Sequence, residues 1–395
     1  LKILIFNSVF FPTQIGGAEK SVLNLAVGLK KLGHEVFVVS VAEEAIGIEK
    51  KITEPGITCY YIENLNIYWP FHSSENIPLH HKITQKISDI YNLKYLNPLR
   101  KIFKDVKPDI VHTNNLKGIS VVAWKVAKEQ NCRVVHTLRD YYLQCSKCTM
   151  RNRNINCLTT CSPCKIYSYP KKIISRNVHC VVGVSNYILN THIQDGFFRN
   201  SQCKVIYNSA FIEHSNTTPR TSIGSPIRFG YIGRIEDDKG LSLLLTRLQE
   251  THTTFSFKLI VAGDGEQKII NRMRSIDFVD YKGFMNASDF FSCIDFLIVP
   301  SLWNEPMGRV VPEAYSYGVP VLVNKVGGLS ELVKDSITGY YTDINCSEAF
   351  RAALDKLYSA DYKQLSENCI QESLTYSNEV MTNKYLSAFE ETINE

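Results

Sequence analysis

Short apolar runs alternate along this chain with stretches in which apolar residues return every three or four positions. Ile3 to Phe6 is such a run, flanked by one lysine, and predicts a strand buried on both faces of a parallel sheet. From Ala18 onward Val22, Leu23, Leu25, Ala26, Leu29 and Leu32 recur at helical spacing, and Gly33 stands where a helix C-cap falls. A second strand is expected over Val36 to Val41, with further strands at Ile110 to His112, Val134 to Thr137 and Cys180 to Val184 and a helix over Val121 to Glu129. Between Asn208 and Pro226 the chain turns rich in Ser, Thr, Asn and Pro, which reads as a linker. Behind it a second series predicts strands at Arg228 to Ile232, Lys258 to Ala262, Phe296 to Val299 and Val319 to Val323, with helices around Leu241 to Gln249 and Gln267 to Arg274. Residues 82–107 are helix-prone and lysine-rich, with Ile83, Ile87, Ile90, Leu93 and Leu96 as an apolar stripe. Two βαβ series in succession predict an α/β protein of two facing, doubly wound Rossmann-like domains, separated by a deep interdomain cleft with ligand at the carboxyl ends of the strands. The expected division is 1–208, a linker over 209–226, a second domain over 227–372, and a C-terminal helix over 373–395 that packs back toward the first domain.

Composition narrows the class. The 395 residues are 44% hydrophobic and 21% charged, which suits ordinary globular domains and excludes a single small module or a disordered chain. The net charge of +5 hides an asymmetry: residues 1–200 hold 26 Lys and Arg against 14 Asp and Glu, a net +12, and the remainder 18 against 25, a net −7. Nucleic acid, an anionic membrane surface or an acidic ligand are each attracted by such a first half. No run reaches the roughly 18 apolar residues of a membrane-spanning helix. The segment from Leu1 to Phe11 lacks a cleavage-site pattern, so no secretory leader is expected.

Several loops carry candidate chemistry. Pro12 to Gly17 joins the first strand to the first helix, and Gly16 and Gly17 there serve either as a plain turn or as backbone that approaches an anion. Gly233-Arg234 ends a strand, and Lys239-Gly240 opens the next helix. These two cations can neutralise a departing diphosphate, or they can pair with Glu236, Asp237 and Asp238 between them. In Trp303-Asn304-Glu305-Pro306-Met307-Gly308-Arg309-Val310-Val311-Pro312-Glu313, a continuous helix would set the two glutamates roughly 12 Å apart. That separation is too long for one proton-transfer pair and suits two ends of an extended ligand. Pro312 predicts that the helix proper begins near Glu313.

Taken together these residues resemble the family 4 glycosyltransferases, and the likeness runs nearly end to end. Gly16-Gly17, Gly33-His34-Glu35-Val36, Val184-Ser185, Gly233-Arg234, Lys239-Gly240, Gly263-Asp264-Gly265, Gly283-Phe284, Pro300-Ser301, Glu305 with Glu313, Gly318-Val319-Pro320-Val321, Gly327-Gly328 with Glu331, and Gly339 follow in order. The resemblance implies the GT-B fold and a retaining transfer of a hexose or N-acetylhexosamine from a nucleotide diphosphate sugar to a glycolipid or polysaccharide precursor. Arg234 and Lys239 would hold the diphosphate opposite the Gly16-Gly17 amides. Glu313 would accept from the ribose, Phe284 would lie by the base, and Gly263 would belong to the nucleotide site. Glu305 would contact the sugar, beside the backbone of Pro306, Met307 and Gly308, proline itself offering no N–H. The resemblance also implies no catalytic metal or other cofactor, and the chain has no Asp-x-Asp motif. Where family members carry His-Asp, this chain has Arg139-Asp140. Arg139 either recognises a group on donor or acceptor or pairs with Asp140. His136 is read as structural.

The cysteines Cys145, Cys148, Cys157, Cys161 and Cys164 lie close in sequence. Their two C-x2-C pairs read as a structural zinc site of Cys145, Cys148, Cys161 and Cys164, with Cys157 able to replace one, or else as disulfides or free thiols. The expected partners are the sugar nucleotide, a lipid-linked or oligosaccharide acceptor, and an anionic membrane surface, with the protein peripheral at the cytoplasmic face of the plasma membrane. A sugar-nucleotide epimerase of the same fold is the enzymatic alternative. A nucleic-acid or zinc-dependent binding module fits less well, because the basic residues lie among Ile and Leu at helical spacing and are not interleaved with stacking aromatics.

Overall fold

The computed structural model describes residues 1–395 apart from 14–15, 54–55, 72–76, 153, 211–217 and 253. It divides into two compact units, Leu1–Tyr207 with Asn378–Glu395, and Asn208–Ser377. Part of the expected linker, 211–217, lies outside the described residues.

In the first unit the strands are β1 Lys2–Phe6, β2 Glu35–Ala42, β3 Ile48–Thr53, β4 Ile57–Glu63, β5 Ile110–Thr113, β6 Arg133–Leu138, a small separate hairpin of β7 Arg151–Asn152 and β8 Ile155–Asn156, then β9 Cys180–Gly183 and β10 Gln202–Val205. Among the described residues the main sheet runs β10-β9-β6-β5-β1-β2-β4-β3, and only β3 is antiparallel to its neighbour. The chain winds outward from β1 through β2 and β4, then returns to place β5 on the other side of β1. Loops after β1 and β5 therefore diverge, which opens a crevice at the strands' carboxyl ends. The helices are α1 Gly17–Lys31, α2 Leu79–Ser88, α3 Leu96–Val106, α4 Val122–Glu129, α5 Ser162–Ile174 and α6 Asn186–Gln194.

The second unit repeats this logic with β11 Ile227–Ile232, β12 Phe257–Ala262, β13 Val279–Gly283, β14 Phe296–Val299, β15 Val321–Asn324 and β16 Gly339–Thr342, in the order β13-β12-β11-β14-β15-β16. Its winding reverses between β11 and β14. At their amino ends Arg228 and the buried Asp295 lock these two strands together, the guanidinium Nη2 lying 2.7 Å from Oδ1. The helices here are α7 Leu241–Thr251, α8 Gln267–Arg274, α9 Ala287–Ser292, α10 Val310–Ser316, α11 Ser347–Tyr358 and α12 Tyr362–Ser373.

The last helix, α13 Asn378–Asn394, belongs to the first unit. Met381, Tyr385, Ala388 and Phe389 join the core that includes Ile3, Ile5, Val36 and Ile110. Each large apolar side chain buried in this way stabilises the unit by about 1.5–3 kcal/mol.

Two local expectations change. Residues 82–107 are not one helix: α2 ends at Ser88, and a 3-10 turn over Leu93–Tyr95 precedes α3. The Asn92 side chain accepts from Lys94 N–H at 3.2 Å and so starts that turn instead of continuing α2. Ile83, Ile87 and Leu93 of the expected stripe face solvent. In the second unit α10 starts at Val310, not near Glu313. Pro312 stands in its first turn, where a missing N–H removes no helical hydrogen bond.

Candidate functional site

Four loops at the carboxyl ends of β11 to β14 carry the candidate residues of the second unit. After β11, the turn Asp237–Lys239 ends in Gly240, whose φ is 78°. A Cβ on Gly240 would stand 2.0 Å from the Pro300 carbonyl oxygen, so glycine is what lets the exit of β14 press against this turn. The Asp238 carbonyl then accepts from Leu302 N–H at 2.9 Å and Trp303 N–H at 3.1 Å. With the two loops pinned together, Lys239 Nζ reaches Glu305 Oε1 at 2.7 Å and lies 4.9 Å from the centre of the Trp303 ring. Glu305 Oε1 also accepts from the buried Ser301 hydroxyl at 3.1 Å, and Asn324 at the end of β15 holds the Ser301 carbonyl at 2.8 Å.

The two cations therefore differ. Arg234 Nη1 pairs with Glu236 Oε1 at 2.9 Å in an exposed contact, one of the partners anticipated from the acids between the cations. Lys239 instead takes a partner 66 residues away, in a half-sheltered pair. An ammonium keeps N–H donors beyond the one given to Glu305, so the arrangement can receive an anion without first breaking the pair.

Glu313, in α10, receives Arg309 Nη2 at 2.9 Å, a partner one helical turn back that sequence reading did not single out. Pro306 and Met307 are buried, and the Met307 sulfur accepts from Asn208 N–H at 3.1 Å. The thioether is thus used in packing, leaving only backbone of 306–308 for a ligand. Gly308 has a φ of 93°. Phe284, just past β13, is 91% exposed, an uncovered ring beside the loop in which Gly263 N–H donates to the Gly283 carbonyl at 2.7 Å. Among the expected residues of this unit, Lys239 and Glu305 are in direct contact.

In the first unit the β5 end supplies Asn114, also unanticipated. Its backbone and side-chain amides both donate to the Phe6 carbonyl that closes β1, at 2.9 and 3.1 Å, and its Oδ1 accepts from Arg139 Nε at 2.8 Å. Arg139 is thereby fixed at the reversal point of the sheet, with a further hydrogen bond to Tyr385 of α13. Asp140 Oδ1 accepts from Tyr142 N–H at 2.8 Å. Burial raises the Asp140 carboxyl above its ordinary range, while that hydrogen bond and the charges of Lys117 and Lys171 work against the rise. His136 is a core residue, with Nδ1 2.9 Å from Thr113 Oγ1 and its ring stacked on Phe198. Burial lowers it to about 3, so it is neutral at physiological pH.

Gly16 departs from its expected use. Its N–H donates to the buried Glu19 carboxylate at 2.9 Å in a capping box that starts α1, so that amide is already engaged. Gly17 opens the helix itself, and Gln14 and Ile15 of the same loop lie outside the described residues.

A model of the glycosyl transferases group 1 matches residues 226–360, and one of glycosyltransferase family 4 matches residues 15–210. An uncharacterised 42.6 kDa protein of the Klebsiella pneumoniae cps region is 37% identical over 373 residues, covering 92% of this chain and 97% of that one. The chain belongs to the GT-B glycosyltransferases of the family 4 type.

This glycosyltransferase is also 35% identical over 148 residues to the lipopolysaccharide 1,2-N-acetylglucosaminetransferase of Salmonella typhimurium, covering 32% of this chain and 39% of that enzyme. Its fold matches Anabaena Alr3699/HepE, solved with UDP and glucose, at a TM-score of 0.70 and 19% identity, over 98% of this chain and 99% of that one. Sucrose-phosphate synthase from Thermosynechococcus elongatus matches at a TM-score of 0.73 and 16% identity, over 98% of both chains.

Of the five clustered cysteines, all free thiols, Cys157 and Cys164 each interact with Cys145 and Cys161, the combination in which Cys157 stands in for Cys148. Cys148 has a φ of 61°, and the charges acting on its thiol are Asp140, Lys117, Lys171 and Asp89, with burial pushing it up to about 12. Cys161 and Cys164 are joined by a hydrogen bond at the start of α5, both remaining free thiols. Among the described residues no group of three or more His, Cys, Asp or Glu side chains is already placed to hold a metal.

Proposed function

We propose that this glycosyltransferase moves a hexose or N-acetylhexosamine from a nucleotide diphosphate sugar to a hydroxyl of a glycolipid or surface-polysaccharide precursor, with retention at the anomeric carbon. The observation that carries this reading is the Lys239–Glu305 pair between the carboxyl ends of β11 and β14, where the sheet's winding reverses. Open α/β sheets bind their ligands at that point. Support for a nucleotide-sugar donor comes from the UDP and glucose named with Alr3699/HepE, and for a surface-glycan setting from the cps-region and lipopolysaccharide relatives.

In this reading Arg234 and Lys239 neutralise the departing diphosphate, the two protein cations taking the place of a metal ion there. Glu313, oriented by Arg309, accepts from the ribose hydroxyls, and the exposed Phe284 ring supports the base. Gly263 lies with the nucleotide, and the backbone of Pro306, Met307 and Gly308 borders the sugar. Glu305 accepts from sugar hydroxyls. The acceptor hydroxyl attacks the anomeric carbon from the face that the diphosphate leaves; the carbon–oxygen bond to phosphate breaks, and a phosphate oxygen takes the acceptor's proton. The first unit receives a lipid-linked or oligosaccharide acceptor near Arg139 and Asp140, with the enzyme peripheral at the cytoplasmic membrane face.

Acceptor-dependent release of nucleoside diphosphate, followed by NMR of the product's anomeric proton, tests this function. An α-linked product from an α-linked donor is expected. A β-linked product overturns retention, and epimerised sugar nucleotide formed without acceptor replaces transfer by epimerisation. Within the same assay Arg139→Ala is expected to lower turnover by about 10- to 100-fold and to shift the preference among donors or acceptors, the loss expected when a positioned polar contact is removed. Unchanged rates and preference would remove Arg139 from the site.

A further inference from the structure

Two stretches of the first unit are almost free of acid. Residues 76–104 hold six Lys and Arg against one acid, Asp89, and residues 141–194 hold seven against none. Asp89 is buried, so it contributes no exposed counter-charge. These same stretches contain nine of the 17 large hydrophobic side chains that are exposed among the described residues. Such side chains scattered singly need no explanation, but six of these nine fall on one line of each of two helices. On α2 they are Leu79, Ile83 and Ile87, 72%, 50% and 63% exposed at steps of four. On α5 they are Ile166, Tyr169 and Ile173, at steps of three and four. Of the ten residues of α2 only Gln85 is buried, so this helix turns its apolar line away from the protein.

One buried knot joins the two helices. Asp89 caps the C-terminus of α2, and its carbonyl accepts from the Tyr142 hydroxyl at 2.7 Å. Lys171 of α5 donates to the Tyr142 carbonyl at 3.2 Å and to the Tyr167 hydroxyl at 2.6 Å, its ammonium sheltered between those two rings. Tyr142 is two residues past Asp140. The exposed apolar lines therefore flank the Arg139-Asp140 loop.

We infer that α2 and α5 form a docking face for an anionic lipid bilayer, with Leu79, Ile83, Ile87, Ile166, Tyr169 and Ile173 entering the headgroup boundary and the neighbouring lysines meeting lipid phosphates. The charge decides the occupant. Apolar lines alone suit any hydrophobic partner, whereas lines on helices that carry lysines and no Asp or Glu match a negatively charged surface. Lys82, Lys86 and Lys165 sit on these helices, and each long side chain can lie along the apolar surface with its ammonium at the headgroups. Docking here brings lipid-linked sugars up to the Arg139-Asp140 loop; that last consequence rests on the acceptor reading above, and the docking itself does not.

Sedimentation with vesicles of mixed phosphatidylglycerol and phosphatidylcholine, against pure phosphatidylcholine, tests the inference without donor or acceptor present. The full chain is expected to sediment with the anionic vesicles, less so at high salt, and hardly with the neutral ones. Lys86→Gln with Lys165→Gln should weaken binding by about 30-fold, since each lysine near such a surface contributes roughly a tenfold or somewhat smaller factor. Ile83→Ser with Ile173→Ser should weaken it by about tenfold at both salt concentrations. All four positions are exposed and outside the transfer machinery, so acceptor-dependent diphosphate release from a short soluble acceptor should be unchanged. Equal sedimentation with both lipids, or variants that bind as the parent does, overturns the proposal. So does a stable dimer that the isoleucine exchanges dissociate, which would assign these faces to contact between copies of the chain.

Discussion

Lys239→Ala is expected to lower transfer by about 10²- to 10³-fold, the range seen when one preorganised group facing developing charge is removed. Lys239 is the sheltered member of the two cations, held by Glu305 at 2.7 Å and lying over Trp303, whereas Arg234 makes an exposed contact with Glu236. A cation withdrawn from water acts through a lower effective dielectric, so its loss weighs more than that of an exposed one. Arg234→Ala should accordingly cost less than Lys239→Ala. Glu305→Gln keeps the shape and one acceptor oxygen but removes the charge. If the carboxylate both orients Lys239 and accepts from the sugar, kcat should fall by about tenfold or more with a smaller change in KM. The double variant should lose much less than the product of the two single losses, because groups in direct contact are coupled. Initial rates of diphosphate release measure all of these, and near-normal kinetics in both single variants would refute the assignment of the site.

Gly327→Ala should reduce turnover by about tenfold or more without touching a ligand. Gly327 has a φ of 51°, and a Cβ there would stand 2.5 Å from the Glu305 carbonyl oxygen and 2.7 Å from Asn304 C. Next to it, Gly328 N–H donates to that same Glu305 carbonyl at 2.7 Å. The loop bearing Glu305 must therefore retreat by a fraction of an ångström or more, carrying the carboxylate off Lys239. Displacements of about 1 Å at reacting groups cost up to 10² in rate. The substitution should also destabilise the protein by about 1–3 kcal/mol, from left-handed backbone and the steric shift together. Turnover and a thermal melt on the same sample separate the two effects. A variant with a lowered melt and full activity would show that the Glu305 loop tolerates the shift.

Most of the sheet architecture is legible in the chain because strand periodicity is local. The runs at Ile3, Ile110, Phe296 and Arg228 predict strands within a residue or two of β1, β5, β14 and β11. The strands β4, β13 and β16 are not anticipated either, and the antiparallel edge β3 escapes because Ile48–Thr53 carries Glu49, Lys50 and Lys51 and is half exposed, so it lacks an apolar run. Among site residues, Asn114 and Arg309 escape because a lone Asn after a short strand, or an Arg one turn before a Glu, has no signature until its partner is known.

By itself the sequence determined the two α/β units, the family, and the residue types that handle charge, since apolar spacing and ordered Gly, Lys, Arg and Glu motifs are properties of neighbouring positions. The tertiary structure decided who meets whom. Lys239 passes over the adjacent Glu236, Asp237 and Asp238 because the β11–β14 reversal and Gly240 bring Glu305 beside it. The Gly16 amide goes to Glu19, and Arg139 goes to Asn114 at the end of another strand. The stripe through Ile83 and Ile87 was visible as a periodicity, but a periodicity says only that a helix has an apolar face. Whether protein or water covers that face depends on which elements pack against it, and around α2 the fold leaves it uncovered.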